Sequence, residues 1–183
     1  MGRHGAVVLG ITALSLAATF GVLWYASVRT TDRGAVLETH AHAALGIAFE
    51  HPDRYAVAVR EGEGRVTFTV AETSALRESP EAGEGPPTIT IELFKSALGS
   101  RGLDAWLKAT PESNFALSPD RALTDAFIAG ERALAYGWDG LYRGNNIAFA
   151  RGEDVYILSV TYLEEADGIR DDFAQLAASF RFE

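Results

Sequence analysis

The stretch VYILSVTYLEEADGIRDDFAQLAASF, residues 155–180, predicts a strand followed by a helix. VYILSVTY (155–162) is apolar at both odd and even positions, which is typical of a central strand covered on both faces. The apolar residues of the second part recur at helical spacing: Ile169, Phe173, Leu176 and Phe180. Asp167 is placed to cap the start of this helix, which we expect to end near Ser179.

Several other segments alternate apolar and polar residues, which is the period of a half-buried strand. Their apolar members are Tyr55, Val57, Val59, Val66, Phe68, Val70, Ile89, Ile91, Leu93, Ile147 and Phe149. LAYGW (134–138) is a further short run of the same kind. We therefore expect about six or seven strands.

A second helix is predicted within GLDAWLKATP (102–111). Leu103, Trp106 and Leu107 have i, i+3, i+4 spacing there, and the final proline ends the run. AETSALRESPEAGEGPP (71–87) predicts a long polar loop. Most connections are too short for the helix that each parallel crossover needs. The predicted class is α+β, an antiparallel sheet of about six or seven strands covered by helices.

The N-terminal segment GAVVLGITALSLAATFGVLWYASV, residues 5–28, has no charged residue. As a helix it would be about 36 Å long, enough to cross a hydrocarbon layer of about 30 Å. Trp24 and Tyr25 lie near its far end, where aromatic rings favour the membrane interface, and Arg3 and Arg29 flank it. The sequence predicts one transmembrane helix, with these four residues at the interfaces.

The alternative is a cleaved secretory signal, whose apolar region is usually about 7–15 residues and ends in small residues. Here the far end is bulky, so we expect an uncleaved anchor. We expect the short N-terminal tail inside and the C-terminal domain outside the cytoplasm, although basic residues are more numerous after the segment than before it. The predicted division is 1–34 anchor and flanks, 35–44 connector and 45–183 α+β domain.

Composition excludes several functions. Cysteine is absent, so thiolate chemistry, disulfides and attachment of lipid to cysteine are excluded, which leaves residues 5–28 as the predicted contact with the bilayer. Residues 35–183 contain 13 basic and 24 acidic residues, a net charge of −11. Such a domain repels nucleic acid, so we expect no nucleic-acid partner.

Three of the four histidines lie in LETHAHAALGIAFEHP, residues 37–52. On a strand, His40 and His42 would face the same side and could chelate a metal. His51 is nine residues beyond His42, about 30 Å in an extended chain and too far for a shared ion. We therefore expect solvated connector histidines, no metal site and no cofactor.

Catalytic patterns are missing from the sequence. No Gly-x-Ser-x-Gly turn occurs, and no phosphate-binding glycine loop is present. The carboxylates near the last helix are Glu164, Glu165, Asp167, Asp171 and Asp172. Acidic residues there complement the helix dipole and we expect them to face solvent; a weak calcium patch is the alternative, without the spacing of an EF-hand. We expect no catalytic residues.

The segment YGWDGLYRGNN, residues 136–146, combines aromatic and hydrogen-bonding groups near a predicted strand turn. Such mixtures recur at recognition surfaces, and Trp138, Asp139, Tyr142 and Asn145 are the candidate partner-binding residues. The same composition suits a hairpin whose aromatic side chains pack inward and whose Gly, Asp and Asn form the bend.

Three motifs in this order resemble PsbP-like domains, over roughly residues 45–183. They are GIAFEHPDRYAV (46–57), which resembles an opening hairpin; FIAGERALAY (127–136), a Gly-centred turn between two strands; and VYILSVTYLEEADGIRDDFAQLAASFRF (155–182), a closing strand, helix and Ser-Phe end. Position 51 is His where the family usually has an aromatic residue. The resemblance implies an α/β/α sandwich around an antiparallel sheet. Members of the family mostly bind partners rather than catalyse, and no shared active site transfers to this chain.

Together these features predict a membrane-anchored, noncatalytic binding or assembly module that acts on an envelope or membrane protein complex. Two alternatives remain. One is a small-ligand carrier with a pocket between sheet and helix. The other is an enzyme with a dispersed acidic site, which would need two buried carboxylates in one cleft.

Overall fold

The computed structural model describes residues 36–77 and 85–183, and over this part the chain is α+β. The strands are β1 Leu37–His42, β2 Ile47–Pro52, β3 Tyr55–Gly62, β4 Arg65–Glu72, β5 Ile89–Phe94, β6 Thr124–Ile128, β7 Glu131–Asp139, β8 Arg143–Arg151, β9 Asp154–Tyr162 and β10 Arg181–Phe182. The helices are α1 Thr73–Arg77, α2 Leu103–Ala109 and α3 Ile169–Ser179. Two 3₁₀ turns, Pro111–Ser113 and Phe115–Leu117, follow α2.

Seven strands form an antiparallel sheet in the order β3-β4-β5-β9-β8-β7-β6, which confirms the predicted strand number and direction. β9, predicted as a strand covered on both faces, is the middle strand, and its residues 155–160 are all buried. The Gly-centred turn joins β6 to β7 through Ala129 and Gly130, with φ of 51° and 83°. Positive φ at both central residues matches the right-handed twist of a hairpin.

Each face of this sheet packs against its own apolar layer. On the α3 face, Phe173 and Leu176 of α3 are buried in one cluster with Phe49 of β2 and Phe68 of β4. On the opposite α2 face, Trp106, Leu107 and Phe115 pack against the side chains of β5, β7, β8 and β9. The burial of both layers explains why β9 has apolar residues at both odd and even positions.

A second sheet, β1-β2-β10, lies on the α3 face. Residues 37–42, which the sequence analysis assigned to the connector, form β1 and pair with β2 from Leu37↔Pro52 to His42↔Ile47. The expected opening hairpin therefore changes sheets, because β2 belongs to the small sheet and β3 to the large one. Helix α1 lies at the start of the segment that was predicted as a loop.

The predicted cap of α3 is wrong. Gly168 occupies the N-cap position, and no side chain caps the helix there. The Asp167 carboxylate instead accepts hydrogen bonds from the backbone N–H groups of Leu163 and Glu164, at 2.8 and 2.9 Å. These bonds hold the β9–α3 connection in a turn and lower the pKa of Asp167, because they favour its charged form.

The predicted anchor, residues 5–28, lies outside the described residues. Within residues 36–77 and 85–183, no helix is long and apolar enough to span a bilayer.

Candidate functional site

The candidate partner-binding residues lie at one end of the seven-stranded sheet, which we call the β7–β8 end. β3, β5 and β8 begin at this end, and β4, β7 and β9 finish there. The described chain also starts here, since the carbonyl of Val36 accepts a hydrogen bond from the backbone N–H of Asp53, at 2.9 Å. The first described residue and the candidate site therefore share one end of the domain.

The β7–β8 turn is short and places an apolar side chain at its tip. Asp139 pairs with Arg143 at the ends of the two strands, and the N–H of Gly140 donates to the carbonyl of Tyr142 at 2.9 Å. Leu141 lies between them with 73% of its surface exposed. The backbone geometry of a turn does not require leucine at its tip, so it does not explain why an exposed leucine occupies position 141.

Trp138 is held in one orientation on the α2 face. Its indole Nε1–H donates to Oδ1 of Asn146 at 2.9 Å. The ring lies against the backbone of Gly144, where an added Cβ would be 2.1 Å from Cε2 of the indole. Only glycine therefore fits at position 144 while the ring keeps this place.

Asn146 belongs to a buried polar network that supports the tryptophan. Its Nδ2 donates to the Ser113 carbonyl at 2.9 Å and to the Tyr136 hydroxyl at 3.0 Å. The Tyr136 hydroxyl donates to the same carbonyl at 2.7 Å. Burial raises the pKa of Tyr136 to about 12. Because each buried polar group has a partner, the network rigidifies this side of the β7–β8 end.

The four candidate residues do not share one surface. Trp138, Asp139 and Tyr142 gather at the turn, where the Tyr142 hydroxyl donates to the Gly85 carbonyl. Asn145 precedes Asn146 on β8, so its side chain lies on the opposite, α3 face of the sheet. Its Oδ1 is buried and has no partner among the described residues.

Asn146 and Ser113, which no sequence pattern singles out, thus do more to position Trp138 than Asn145 does. The sequence does not distinguish the two adjacent asparagines, because it does not show which of them faces the α2 side of the sheet. The candidate membrane-interface residues Arg3, Trp24, Tyr25 and Arg29 lie outside the described residues.

The three histidines that the structure describes pack into the domain, so the expectation of solvated connector histidines is wrong. The rings of His40 and His42 lie 5.8 and 5.4 Å from the ring of Phe68, and His51 is only 5% exposed. The β1–β2 hairpin reverses the chain and brings His51 to the same side as His40. The separation expected for an extended chain therefore does not apply to these histidines. Over residues 36–77 and 85–183, no group of three His, Asp or Glu side chains could hold a metal ion.

Among the residues that the structure describes, two carboxylates are buried, and each pairs with an arginine. Glu92 pairs with Arg65 on the α2 face. Asp172 of α3 pairs with Arg54 and accepts a hydrogen bond from the Tyr55 hydroxyl at 2.7 Å on the α3 face. The expectation that Asp172 faces solvent is therefore wrong. Because the sheet separates the two carboxylates, they do not form one acid–base pair.

An open groove of about 520 Å³ lies on the α2 face beyond the cover of α2. Residues of β3 and β4 line it together with Glu92, and the Arg65–Glu92 pair lies inside it. Thr67 and Thr69 contribute hydroxyl groups to its floor. Such a lining is typical of the solvated face of an antiparallel sheet.

Among solved structures, the chain is similar to cyanobacterial PsbP (CyanoP) from Synechocystis sp. PCC 6803, with a TM-score of 0.52 and 12% identity over 81% of this chain and 94% of that one. It is also similar to LpqN of Mycobacterium tuberculosis, described as involved in cell envelope biogenesis, with a TM-score of 0.44 and 14% identity over 81% and 91% of the two chains. Neither a family model nor a curated protein matches the sequence. The fold is PsbP-like, as the sequence motifs predicted.

Proposed function

We propose that the protein is a noncatalytic binding module, tethered to a membrane by residues 5–28 and exposed outside the cytoplasm, that holds a protein partner at the β7–β8 end. The contact residues would be Leu141 together with Trp138, Asp139 and Tyr142. Asn145, whose Oδ1 is buried, would not contact the partner directly. Tethering raises the concentration of the domain near membrane partners.

The observation behind this proposal is the exposed Leu141 beside an immobilised indole. An exposed leucine alone is ordinary, but Leu141 is three residues from Trp138 in the same hairpin turn, and Asn146 and Gly144 hold that tryptophan in one place. Preorganised aromatic side chains with exposed apolar neighbours lose little conformational entropy on binding. The β7–β8 end therefore has the composition of a recognition surface.

The two alternative functions have less support. The space between the sheet and α3 is filled by buried side chains such as Phe149, Phe173 and Phe180, and the groove is open and lies on the other face. An acidic enzyme site would need two carboxylates that reach one substrate, whereas Glu92 and Asp172 lie on opposite faces. Both facts favour a module that binds a partner on its surface over a carrier or an enzyme that encloses a small ligand.

The test is photocrosslinking of the full-length protein in the membranes of its own cells. A photoreactive residue replaces Leu141 in one variant and Phe127 in the other. Phe127 of β6 is a matched control because it is 72% exposed and its position on β6 is away from the β7–β8 turn. We expect a defined protein adduct from position 141 and only background from position 127.

Equal adducts at the two positions would mean that exposed apolar groups react without regard to site. Adducts to lipid alone would replace the protein partner with the bilayer. Either result contradicts the proposal.

A further inference from the structure

We infer that the partner contacts the β7–β8 end through an apolar segment flanked by lysine or arginine residues, close to the membrane. This inference rests on the proposed function and adds the chemistry of the partner. It follows from three independent features of this end: the distribution of exposed apolar side chains, the charge around them, and the position at which the described chain begins.

The exposed apolar side chains are concentrated at one end. Over residues 36–77 and 85–183, the large hydrophobic side chains with substantial exposure are Val36, Leu37, Val59, Leu117, Phe127, Leu141 and Leu163. Five of these seven lie at the β7–β8 end. Val36 and Leu37 are beside the edge strand β3, four strands away from β8, so the three near the turn are Leu117, Leu141 and Leu163. A random scatter of exposed apolar residues needs no explanation, but such clustering marks an interaction surface.

Three of the five surround the tip of the turn. Leu163, 60% exposed, directly follows β9, whose last residue Tyr162 pairs with Arg143 at the start of β8. Leu117, 47% exposed, approaches the turn from the α2 side, where its Cδ1 would lie 3.3 Å from a Cβ at Gly140. Leu117, Leu141 and Leu163 thus extend the apolar surface beyond Trp138 on two sides.

The charged groups around this surface are mainly acidic. The carboxylates are Asp139, Glu164, Glu165, Asp167 and Asp171, and the guanidinium groups are Arg143 and Arg170. Both arginines are directed to Glu165, with Arg143 Nη1 at 3.4 Å from its Oε1. The rim therefore has a net charge of −3 and leaves carboxylates free to meet basic groups.

This charge decides between two kinds of occupant. Anionic lipid headgroups would be repelled by the carboxylates, so burial of Leu141 and Leu163 in such a bilayer surface would be opposed. A polypeptide that presents apolar side chains between lysines or arginines matches both the centre and the rim. The acidic rim would also accelerate its association and suppress acidic competitors.

The chain itself limits where that partner lies. Eight residues, 29–36, connect the end of the predicted anchor to the first described residue, and a fully extended chain of this length spans about 29 Å at most. Val36 lies at this end of the sheet beside the edge strand β3, so that edge stays within about 30 Å of the bilayer. The β7–β8 turn is four strand spacings of about 4.8 Å further across the sheet, which keeps it within about 50 Å. A basic segment of a protein in or on the same membrane is therefore within reach of the turn.

The experiment uses two synthetic amphipathic peptides of equal length, one of leucine and lysine and one of leucine and glutamate. Each is titrated by fluorescence anisotropy against the full-length protein in nanodiscs of zwitterionic lipid. We expect the lysine peptide to bind at least about tenfold more tightly and its affinity to fall as salt is raised. Leu141→Ser should weaken this binding about tenfold. If circular dichroism shows that this variant is unfolded, Leu163→Ser replaces it in the same measurement.

Matched variants make the site specific. Asp139→Asn with Glu164→Gln removes two charges from the rim, whereas Glu63→Gln with Glu153→Gln removes two exposed charges from turns at the opposite end of the sheet. Only the first pair of substitutions should weaken binding of the lysine peptide. Phe127→Ser should leave its affinity unchanged.

Equal affinity of the protein for the two peptides would overturn the inference. So would an equal loss of affinity for the lysine peptide in the variant that carries Glu63→Gln and Glu153→Gln. If position 141 still crosslinks to a protein in that case, the binding function stands and only the partner chemistry fails. If position 141 yields no protein adduct, the binding function fails as well.

Discussion

Gly144 and Trp138 show how one missing side chain positions a candidate contact residue. The two residues face each other across the β7–β8 ladder, and the indole occupies the space that a Cβ at position 144 would need. The tryptophan is half-buried, so its place depends on this contact and on the hydrogen bond to Asn146. A glycine in a strand interior is costly, and close approach of an aromatic ring is a reason to retain it.

Gly144→Ala should displace the indole, break the Trp138–Asn146 hydrogen bond and destabilise the protein by about 1–3 kcal/mol. The measurement is urea unfolding together with tryptophan fluorescence of the native state. Gly137→Ala is the control on the paired strand, because its Cβ would lie 3.5 Å from Asn145 Nδ2, an ordinary contact. If the two variants had the same stability and emission, the ring would not depend on Gly144.

The β1–β2 hairpin is the element whose properties differ most from the sequence expectation. Its histidines lie among the rings of Phe49 and Phe68, and Nε2 of His40 is buried with no partner among the described residues. A proton on that nitrogen would have no acceptor. Burial lowers the pKa of His40, and the neighbouring His51 and His42 lower it further.

The sign of the resulting pH dependence follows from this direction. The unfolded chain binds a proton on His40 near pH 6.5, whereas the folded state resists it. The contribution of His40 is therefore fully present above about pH 6.5 and is lost as the pH falls below it. Glu61 of β3, with Oε1 at 3.5 Å from Nε2 of His42, is a charged group that faces the cluster from the large sheet.

We expect the urea midpoint of the wild-type protein to fall more between pH 7.5 and pH 5 than that of His40→Phe, which keeps an aromatic ring and removes the proton site. Parallel curves for the two proteins would show that His40 does not contribute. Glu61→Gln serves as a check on the influence of the facing carboxylate.

Elements differed in how well the sequence predicted them, and the reason is the range of the interactions that form them. β4, β5 and β9 bury whole faces, so alternation or continuous hydrophobicity marks them. β1 is mostly exposed, β10 has two residues, and both are strands only because β2 lies between them. Pairing of that kind has no local pattern to read.

For the whole molecule, the predicted orientation can be tested through its few amines. The sequence contains two lysines, Lys95 and Lys108, and both are exposed in the folded domain. An amine at the N-terminus of the protein would precede the predicted anchor. The two sides of the membrane would therefore hold chemically separable groups.

A membrane-impermeant amine reagent added to intact cells should label the wild-type protein, and Lys95→Arg with Lys108→Arg should abolish the label, because the remaining amine is expected inside. The readout is mass spectrometry of the purified protein, with lysed cells as the reference. Labelling of the wild type only after lysis would place the domain in the cytoplasm. Persistent labelling of the double variant would place the N-terminus outside.

Local composition and periodicity are sufficient to predict the α+β class, the antiparallel sheet, the middle position of β9 and the helix that packs on it. Each of these depends on how much apolar surface a short segment must bury, and the residues of that segment alone determine this amount. The tertiary structure decided which asparagine supports Trp138, that Asp172 is buried against Tyr55, and that three histidines share one side of a hairpin. It also decided that exposed leucines from separate segments lie at the same end of the sheet. Those relations join residues far apart in sequence, and strand order and register, which bring them together, are set by the packing of the complete domain.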